Sequence, residues 1–129
     1  MAPFSFGRRW AEGYRLAWEA DDPDAAAALY REDCVFRSAP FRDPEPPLAY
    51  TRRVFPEARA EDVRFGEPVE EGDRAAVEWW ATLVLANGEA HALAGCSMLR
   101  FDEQGLVAEA RDYWHMEPGR RQPHESWGR

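Results

Sequence analysis

The sequence contains no lysine and no isoleucine, and all sixteen of its basic residues are arginine. A GC-rich genome produces this bias, so the composition indicates a bacterial source and no particular function. Cysteine is also scarce: Cys34 and Cys96 lack the spacing of a metal site or a redox motif. We therefore expect both to be free thiols in a protein of the reducing cytoplasm.

Long apolar runs are absent as well. The longest, 75–86, is interrupted by Glu78 and is too short to span a bilayer. The N-terminal residues lack an apolar core of signal-peptide length. The net charge is −8 and the pI is about 4.9. Because an acidic protein repels phosphate backbones and anionic lipids, we expect neither nucleic acid nor a membrane as a partner.

The sequence does contain enough apolar residues for a packed domain. It has 129 residues, of which 45% are hydrophobic and 13% aromatic, including six tryptophans. A chain of this length and composition is expected to fold around one core. We expect a single domain over 1–129, with its core at about 8–116 and a polar C-terminal tail at 117–129.

Periodicity and capping residues predict three helices and five strands. In the first helix Trp10, Tyr14 and Trp18 form an apolar stripe. Asp22-Pro23 is a typical start for the second helix. The predicted helices are 8–20, 23–31 and 47–55, and a proline-rich connector precedes the third. The predicted strands are 34–37, 63–69, 74–86, 89–101 and 106–115.

The dipeptide Asn87-Gly88 predicts a two-residue hairpin turn. That turn pairs Trp80 with Gly95, and a four-residue loop at 102–105 pairs Gly95 with Asp112. One face of the sheet then carries a mixed set of aromatic, small and ionisable side chains: Glu78, Trp80, Thr82, Val84, His91, Leu93, Gly95, Ser97, Ala110, Asp112 and Trp114.

This face has the composition of a pocket wall rather than of a packed core. Glycine opposite tryptophan leaves space, and acidic groups beside indole rings need a partner or acquire raised pKa values. A concave apolar surface with a few convergent polar groups is typical of a ligand site. We therefore expect a small hydrophobic ligand as the partner of this face.

The opposite face of the sheet is predicted to be apolar too, and it includes Trp79, Leu83, Ala94 and Cys96. A sheet that is apolar on both sides needs cover on both, and three short helices can cover only one of them. The pattern therefore predicts a two-fold homodimer through this second face.

Three segments carry a family resemblance: Trp18 to Asp24, Ala28 to Phe36, and Leu99 to Trp114. They resemble polyketide-cyclase (SnoaL-like) and ketosteroid-isomerase-like proteins of the nuclear transport factor 2-like superfamily, and the likeness extends over nearly the whole chain. The resemblance implies an α+β cone of the cystatin-like kind, in which three helices and a strongly bent antiparallel sheet enclose a pocket. This fold hosts enzymes, carriers and assembly modules, so no single activity follows from it.

The resemblance also assigns family catalytic positions to individual residues. Ketosteroid isomerases use a tyrosine and a protonated Asp as an oxyanion hole and another Asp as base; these positions fall on Tyr14, Ser97 and Ser38. Serine does not shuttle protons without an activating partner, so we do not expect that mechanism. Limonene-epoxide-hydrolase-like enzymes use an Asp-Arg-Asp set, of which Asp112 alone is present. Polyketide cyclases need mainly one carboxylate and an apolar mould, a role open to Asp112.

Asp112 is the leading candidate for the polar centre of the pocket, and Tyr14 and His91 are the other catalytic candidates. Each has an alternative: Asp112 as a fold anchor bonded to Tyr14 or His91, Tyr14 as a core residue, and His91 as an exposed residue at a strand end. The ligand-binding candidates are Trp18, Ser38, Glu78, Trp80, Ser97 and Trp114. An alternative partner for Glu78 is Arg37. No pair of side chains has metal-ligand spacing, so we expect neither a metal site nor a cofactor.

Two classes of function fit these observations. One is a cofactor-free enzyme of the lyase, isomerase, hydratase or cyclase type, acting by acid–base chemistry on a hydrophobic carbonyl compound, or an epoxide-hydrolase-like enzyme. The other is a non-catalytic ligand-binding or dimeric assembly module that keeps the pocket. The residues do not decide between them.

Overall fold

The computed structural model of the chain describes residues 5–129. It contains three helices, α1 (Phe6–Glu19), α2 (Pro23–Ala27) and α3 (Pro47–Val54), and a 3₁₀ turn at Phe55–Glu57. Six strands follow or separate them: β1 (Tyr30–Arg37), β2 (Ala58–Phe65), β3 (Val69–Glu71), β4 (Arg74–Leu85), β5 (Ala90–Phe101) and β6 (Val107–Pro118). The α+β cone predicted from the resemblance is confirmed.

Local capping explains where the first two helices begin. The hydroxyl of Ser5 accepts a hydrogen bond from Arg8 N at the start of α1, and the carboxylate of Asp22 accepts one from Ala25 N at the start of α2. Helix α2 ends four residues earlier than predicted. The chain already belongs to the sheet from Tyr30, which makes β1 longer than predicted.

The sheet is mixed, whereas the resemblance implied an antiparallel one. Its strands lie in the order β1-β6-β5-β4-β2, with β3 paired to β4. Strand β1 is parallel to β6, and every other pair is antiparallel. The parallel pair arises because the chain leaves β1 through α3 for the opposite edge and returns to the β1 edge only with its last strand.

The predicted pairing of β4 with β5 is wrong by one residue. Val84 pairs with Ala90, and Leu85 N donates to Glu89 O, so the connecting loop has three residues instead of two. The type I′ turn typical of Asn-Gly needs positive φ at both central positions, but of the two residues only Gly88, at φ +87°, has it. The side chain of Asn87 accepts a hydrogen bond from Glu89 N and stabilises the wider loop.

A slip of one residue moves every side chain of a strand to the other face. In β4, Trp79 and Leu83 therefore point to the concave face of the sheet, and Glu78 and Trp80 point to the convex face. The β5–β6 pairing differs from the prediction by two residues, with Ser97 opposite Asp112. An even shift keeps the faces, so the concave side of β5 and β6 is the one predicted.

The C-terminal tail lies on the convex face. Strand β6 runs to Pro118, and the residues after it turn back over β4. Trp80 Nε1 donates to Arg121 O at 2.9 Å, and the rings of Trp80 and Trp127 lie 6.0 Å apart. Glu67 N donates to Gly128 O at 2.8 Å. The polar tail is thus attached to the sheet, and it covers the β4 part of the face that we predicted to form a dimer.

That predicted dimer face therefore has to be corrected. Trp79 and Leu83 belong to the concave side, while Ala94 and Cys96 do lie on the convex side. Among residues 5–129, no helix has the length and apolar character needed to cross a membrane.

Candidate functional site

A cavity of about 180 Å³ lies between the helices and the concave face of the sheet. Aromatic rings form most of its wall. Its lining consists of Trp10, Tyr14, Trp18, Tyr30, Arg42, Tyr50, Phe65, Trp79, Leu83, Leu93, Ser97, Asp112, Trp114 and Met116. The volume is below the range of about 300–1,000 Å³ that is usual for ligand pockets, so the cavity suits a small molecule.

Asp112 is the one carboxyl group that the described residues contribute to this lining, and two neighbouring strands hold it in place. Ser97 lies directly opposite Asp112, and its hydroxyl donates to Asp112 Oδ1 at 2.6 Å. The same hydroxyl accepts a hydrogen bond from Trp79 Nε1 at 2.9 Å. The indole therefore fixes the serine, and the serine fixes the carboxyl group. Gly95 makes room for Trp79, because an added Cβ would lie 2.5 Å from Trp79 Cη2.

Burial raises the pKa of Asp112 from 3.8 to about 7, and the hydrogen bond from Ser97 opposes part of this rise. Asp112 Oδ2 has no hydrogen-bond partner among residues 5–129. Its residual accessible surface opens into the cavity that the residue lines. Asp112 can therefore accept and return a proton near neutral pH at an oxygen that a ligand can reach.

Three tyrosines from three different elements surround this carboxyl group. Burial raises the pKa of Tyr14, Tyr30 and Tyr50, and the charge of Asp112 raises each of them further. The Tyr30 hydroxyl accepts a hydrogen bond from Trp10 Nε1 at 3.1 Å. The hydroxyls of Tyr14 and Tyr50 have no partner among the described residues, so both are free to donate to a ligand oxygen.

The loop between β1 and α3 forms the rim of the cavity. Trp114 Nε1 donates to Ser38 O at 2.7 Å, and Arg42 Nη1 donates to Ser38 Oγ at 3.0 Å. The Arg42 guanidinium lies 5.5 Å from the centroid of the Trp114 ring. Ser38 itself is buried behind the rim, where it orients both neighbours and does not line the cavity.

The structure brings together five of the predicted site residues, namely Tyr14, Trp18, Ser97, Asp112 and Trp114. Ser38 lies behind the rim, and the other three lie elsewhere. Glu78 and Trp80 point to the convex face, because the predicted pairing of β4 with β5 is wrong by one residue. His91 lies near the start of β5, where its Nε2 is 3.6 Å from Glu89 Oε2.

The alternative partners expected for these residues are not observed either. Arg37 donates to Arg42 O rather than to Glu78, and Asp112 bonds to Ser97 rather than to Tyr14 or His91. In the part of the chain that the structure describes, no three side chains of the His, Cys, Asp or Glu type are grouped to hold a metal ion.

Sequence reasoning missed several lining residues for identifiable reasons. The predicted two-residue turn puts Trp79 on the wrong face. Arg42 belongs to the predicted connector, and no local pattern shows that its loop folds over the cavity. Tyr50 carried a usable signal, because it is the aromatic residue of a short helix expected to pack on the concave face.

Solved structures of other proteins share this fold. One is Δ5-3-ketosteroid isomerase from Mycobacterium sp., at a TM-score of 0.72 and 17% identity, covering 90% of this chain and 100% of that one. A second is a computationally designed 17-OHP binder, at 0.76 and 18%, covering 92% and 100%. A third is the epoxide hydrolase/cyclase-like enzyme SalBIII of pyran ring formation in the polyether salinomycin, at 0.74 and 15%, covering 87% and 95%.

These identities show a common fold and no more. A comparison of the sequence with curated proteins found no match. The profile of the SnoaL-like domain matches residues 8–110, which is most of the chain and includes the strands that carry Trp79, Ser97 and much of the cavity wall. The chain therefore belongs to the SnoaL-like domain family.

Proposed function

We propose that this protein is a cofactor-free acid–base enzyme of the isomerase or cyclase type, acting on a small hydrophobic carbonyl compound. The observation that carries the proposal is Asp112. Within the described part of the chain it is a lone carboxyl group in an aromatic cavity, with a pKa raised by burial to about 7 and one oxygen without a partner. A carboxyl group in such surroundings costs stability, which points to a role in chemistry.

The first step would be removal of a proton from a carbon next to the substrate carbonyl. Asp112 Oδ2 takes that proton, and the electron pair of the C–H bond moves onto the carbonyl oxygen to give an enolate. The hydroxyls of Tyr14 and Tyr50, which line the same cavity, would donate to this oxygen. The aromatic wall excludes water and strengthens these hydrogen bonds.

Two outcomes of this enolate use the same groups. In an isomerisation Asp112 returns its proton to another carbon of the conjugated system. In a ring closure the enolate carbon attacks a second carbonyl of the same molecule, and the new alkoxide takes the proton from Asp112. Both outcomes regenerate the Asp112 carboxylate, so a single acid suffices.

The alternatives find less support in the cavity. Water activation of the epoxide-hydrolase kind uses a second acid, and among residues 5–129 the lining contains one carboxyl group. A non-catalytic binder of apolar ligands would gain nothing from an acid that lacks a partner for Oδ2. The competing function is the binding of an apolar ligand without turnover, and the following experiment distinguishes it from catalysis.

Exchange of α-protons in D₂O provides a test that does not depend on knowing the substrate. Cyclohexanone is of a size to enter the cavity, and loss of its α-proton NMR signal measures enolisation. We expect exchange above the buffer rate, lost in Asp112→Asn and kept in the control His91→Asn, whose side chain lies outside the cavity. Ketone binding, seen by tryptophan fluorescence, with no exchange above buffer would assign the protein to the binders.

We also propose that two copies associate through the convex face of the sheet. Half-buried Ala94, Cys96 and Met98 lie there beside Tyr113, which is 46% exposed, and such apolar patches mark interaction sites. Light scattering should give twice the chain mass of 14.8 kDa, and Tyr113→Glu should give the single mass. A monomeric wild type would refute the dimer.

The free cysteines, and the use of arginine for every basic residue, support a bacterial cytoplasmic protein.

A further inference from the structure

Arg42 is exposed and is the one cation that the described residues contribute to the lining of the cavity, and no carboxylate forms a salt bridge with it among residues 5–129. Its single side-chain hydrogen bond goes to the Ser38 hydroxyl. The nearby Glu45 carboxylate is occupied by Arg53, at 2.6 and 3.0 Å. A guanidinium has five N–H donors, so most donors of Arg42 are available to a ligand at the mouth of the cavity.

The loop around Arg42 is held on both sides. Arg37 Nη1 donates to Arg42 O at 3.0 Å, and Glu45 N donates to Phe36 O at 3.0 Å. The guanidinium also lies against the Trp114 ring. The first two contacts hold the backbone of the loop, while Ser38 and the Trp114 ring orient the guanidinium, which lowers the entropic cost of binding an anion.

The cation and the acid occupy separate parts of the cavity. Arg42 bonds to Ser38 in the rim loop and lies against the Trp114 ring, whereas Asp112 bonds to Ser97 on the neighbouring strand. One end of the cavity can therefore bind an anion while the other transfers a proton. The overall charge of −8 disfavours anionic ligands, so Arg42 is the feature of the cavity that would select one.

The volume limits the length of such a ligand. An apolar cavity of about 150 Å³ holds one benzene molecule, and this cavity has about 180 Å³. One ring, or a branched chain of similar size, fills it. A carboxylate on that ring would extend to the rim, where Arg42 lies.

We infer that the substrate is a small keto acid of single-ring size, whose carboxylate binds Arg42 at the rim and whose carbonyl lies at the Asp112 end of the cavity. This inference rests on the proposed function, because it adds an anionic group to the carbonyl compound proposed above. Two donors of a guanidinium fork bind both oxygens of a carboxylate, which gives orientation as well as affinity. With the carboxylate on Arg42, the ring and its α-carbon would extend into the cavity that Asp112 also lines.

A matched pair of probes tests the anion site. The probes are 3-oxocyclohexane-1-carboxylate and the neutral 3-oxocyclohexane-1-carboxamide, which share the ring and the ketone. We expect wild-type protein to bind the carboxylate about tenfold more tightly than the carboxamide, by calorimetry, the size of one charge-assisted hydrogen bond. Arg42→Gln should remove that preference and leave the affinity for the carboxamide unchanged. The control Arg74→Gln removes one arginine charge from the convex face and should keep the preference for the carboxylate.

The same probes separate this inference from the proposed function. Equal affinity of the wild type for both probes overturns the anion site, and Asp112-dependent α-proton exchange in the carboxamide would then still support the enzyme. A carboxylate preference that depends on Arg42, with no exchange in either probe, supports the anion site and refutes the enzyme. Failure of both probes to bind refutes both.

Discussion

Replacing Asp112 with asparagine should stabilise the protein at neutral and alkaline pH. The folded state keeps Asp112 protonated up to about pH 7, while the unfolded chain releases this proton near the ordinary pKa of 3.8. Between these values the folded state binds more protons, so the free energy of unfolding falls as the pH rises. Above about pH 7 the free energy of unfolding has fallen by the full amount. The asparagine variant has no proton to lose and keeps this stability.

The difference between the two pKa values sets the size of the effect. Raising the pKa from 3.8 to about 7 corresponds to about 4 kcal/mol, at about 1.4 kcal/mol for each unit of pKa. This is an upper value, because solvent entering the cavity reduces the penalty of burying the charge. We expect Asp112→Asn to exceed the wild type by about 2 to 4 kcal/mol at about pH 8 and by no more than about 1 kcal/mol near pH 4.5. The Ser97 hydroxyl can still donate to the asparagine oxygen.

Urea unfolding followed by tryptophan fluorescence measures this difference at several pH values from about 4.5 to about 8.5. Hydrogen bonds from Arg52 and Arg100 lower the pKa of Asp24 and Glu109. The stability that these exposed ion pairs contribute is therefore lost as the pH falls below that window. Their effects also cancel between the wild type and the variant. Parallel pH profiles for the two proteins, or a variant less stable than the wild type at the alkaline end, would refute the reasoning.

Three further substitutions test the surroundings of the site. Ser97→Ala removes the hydrogen bond that lowers the pKa of Asp112, so stability should continue to fall up to a higher pH than in the wild type. The unpaired indole of Trp79 should cost about 1–3 kcal/mol in urea unfolding; an unchanged pH profile would contradict this. Gly95→Ala places a Cβ 2.5 Å from the Trp79 ring and 2.6 Å from the backbone oxygen of Tyr113 and should cost about 1–3 kcal/mol, whereas a neutral result would mean that both the indole and the neighbouring strand can move aside. Trp127→Ala should cost about 0.5–1.5 kcal/mol and expose the tail to protease, while Phe41→Ala, at a fully exposed side chain, should change neither.

The sequence predicted those features that depend on local chemistry. Asp22 and Pro23 start α2 as predicted, and the alternation of β5 and β6 placed Ser97, Asp112 and Trp114 on the concave face. The pairing of β5 with β6 differs from the prediction by two residues. A shift of two residues leaves every side chain on the same face of the sheet, so these assignments remain correct.

The assignments that failed depend on tertiary structure or on one backbone angle. The φ angle of Asn87 decides between a two-residue and a three-residue loop, and with it the face of Trp79 and Trp80. Arg42 reaches the cavity through contacts of its loop with Arg37 and Phe36. No periodicity along the chain encodes such contacts.

Titration of the Asp112 carboxyl carbon by ¹³C NMR tests the central claim most directly. Protein labelled with ¹³C at the aspartate side-chain carboxyl would be followed from about pH 3 to about pH 9, and the signal missing in Asp112→Asn identifies the residue. A midpoint near 7, in a cavity that also binds the ketone, is the predicted result. A midpoint near 4 would show an ordinary solvated carboxylate and would contradict the account of Asp112 as the acid–base group.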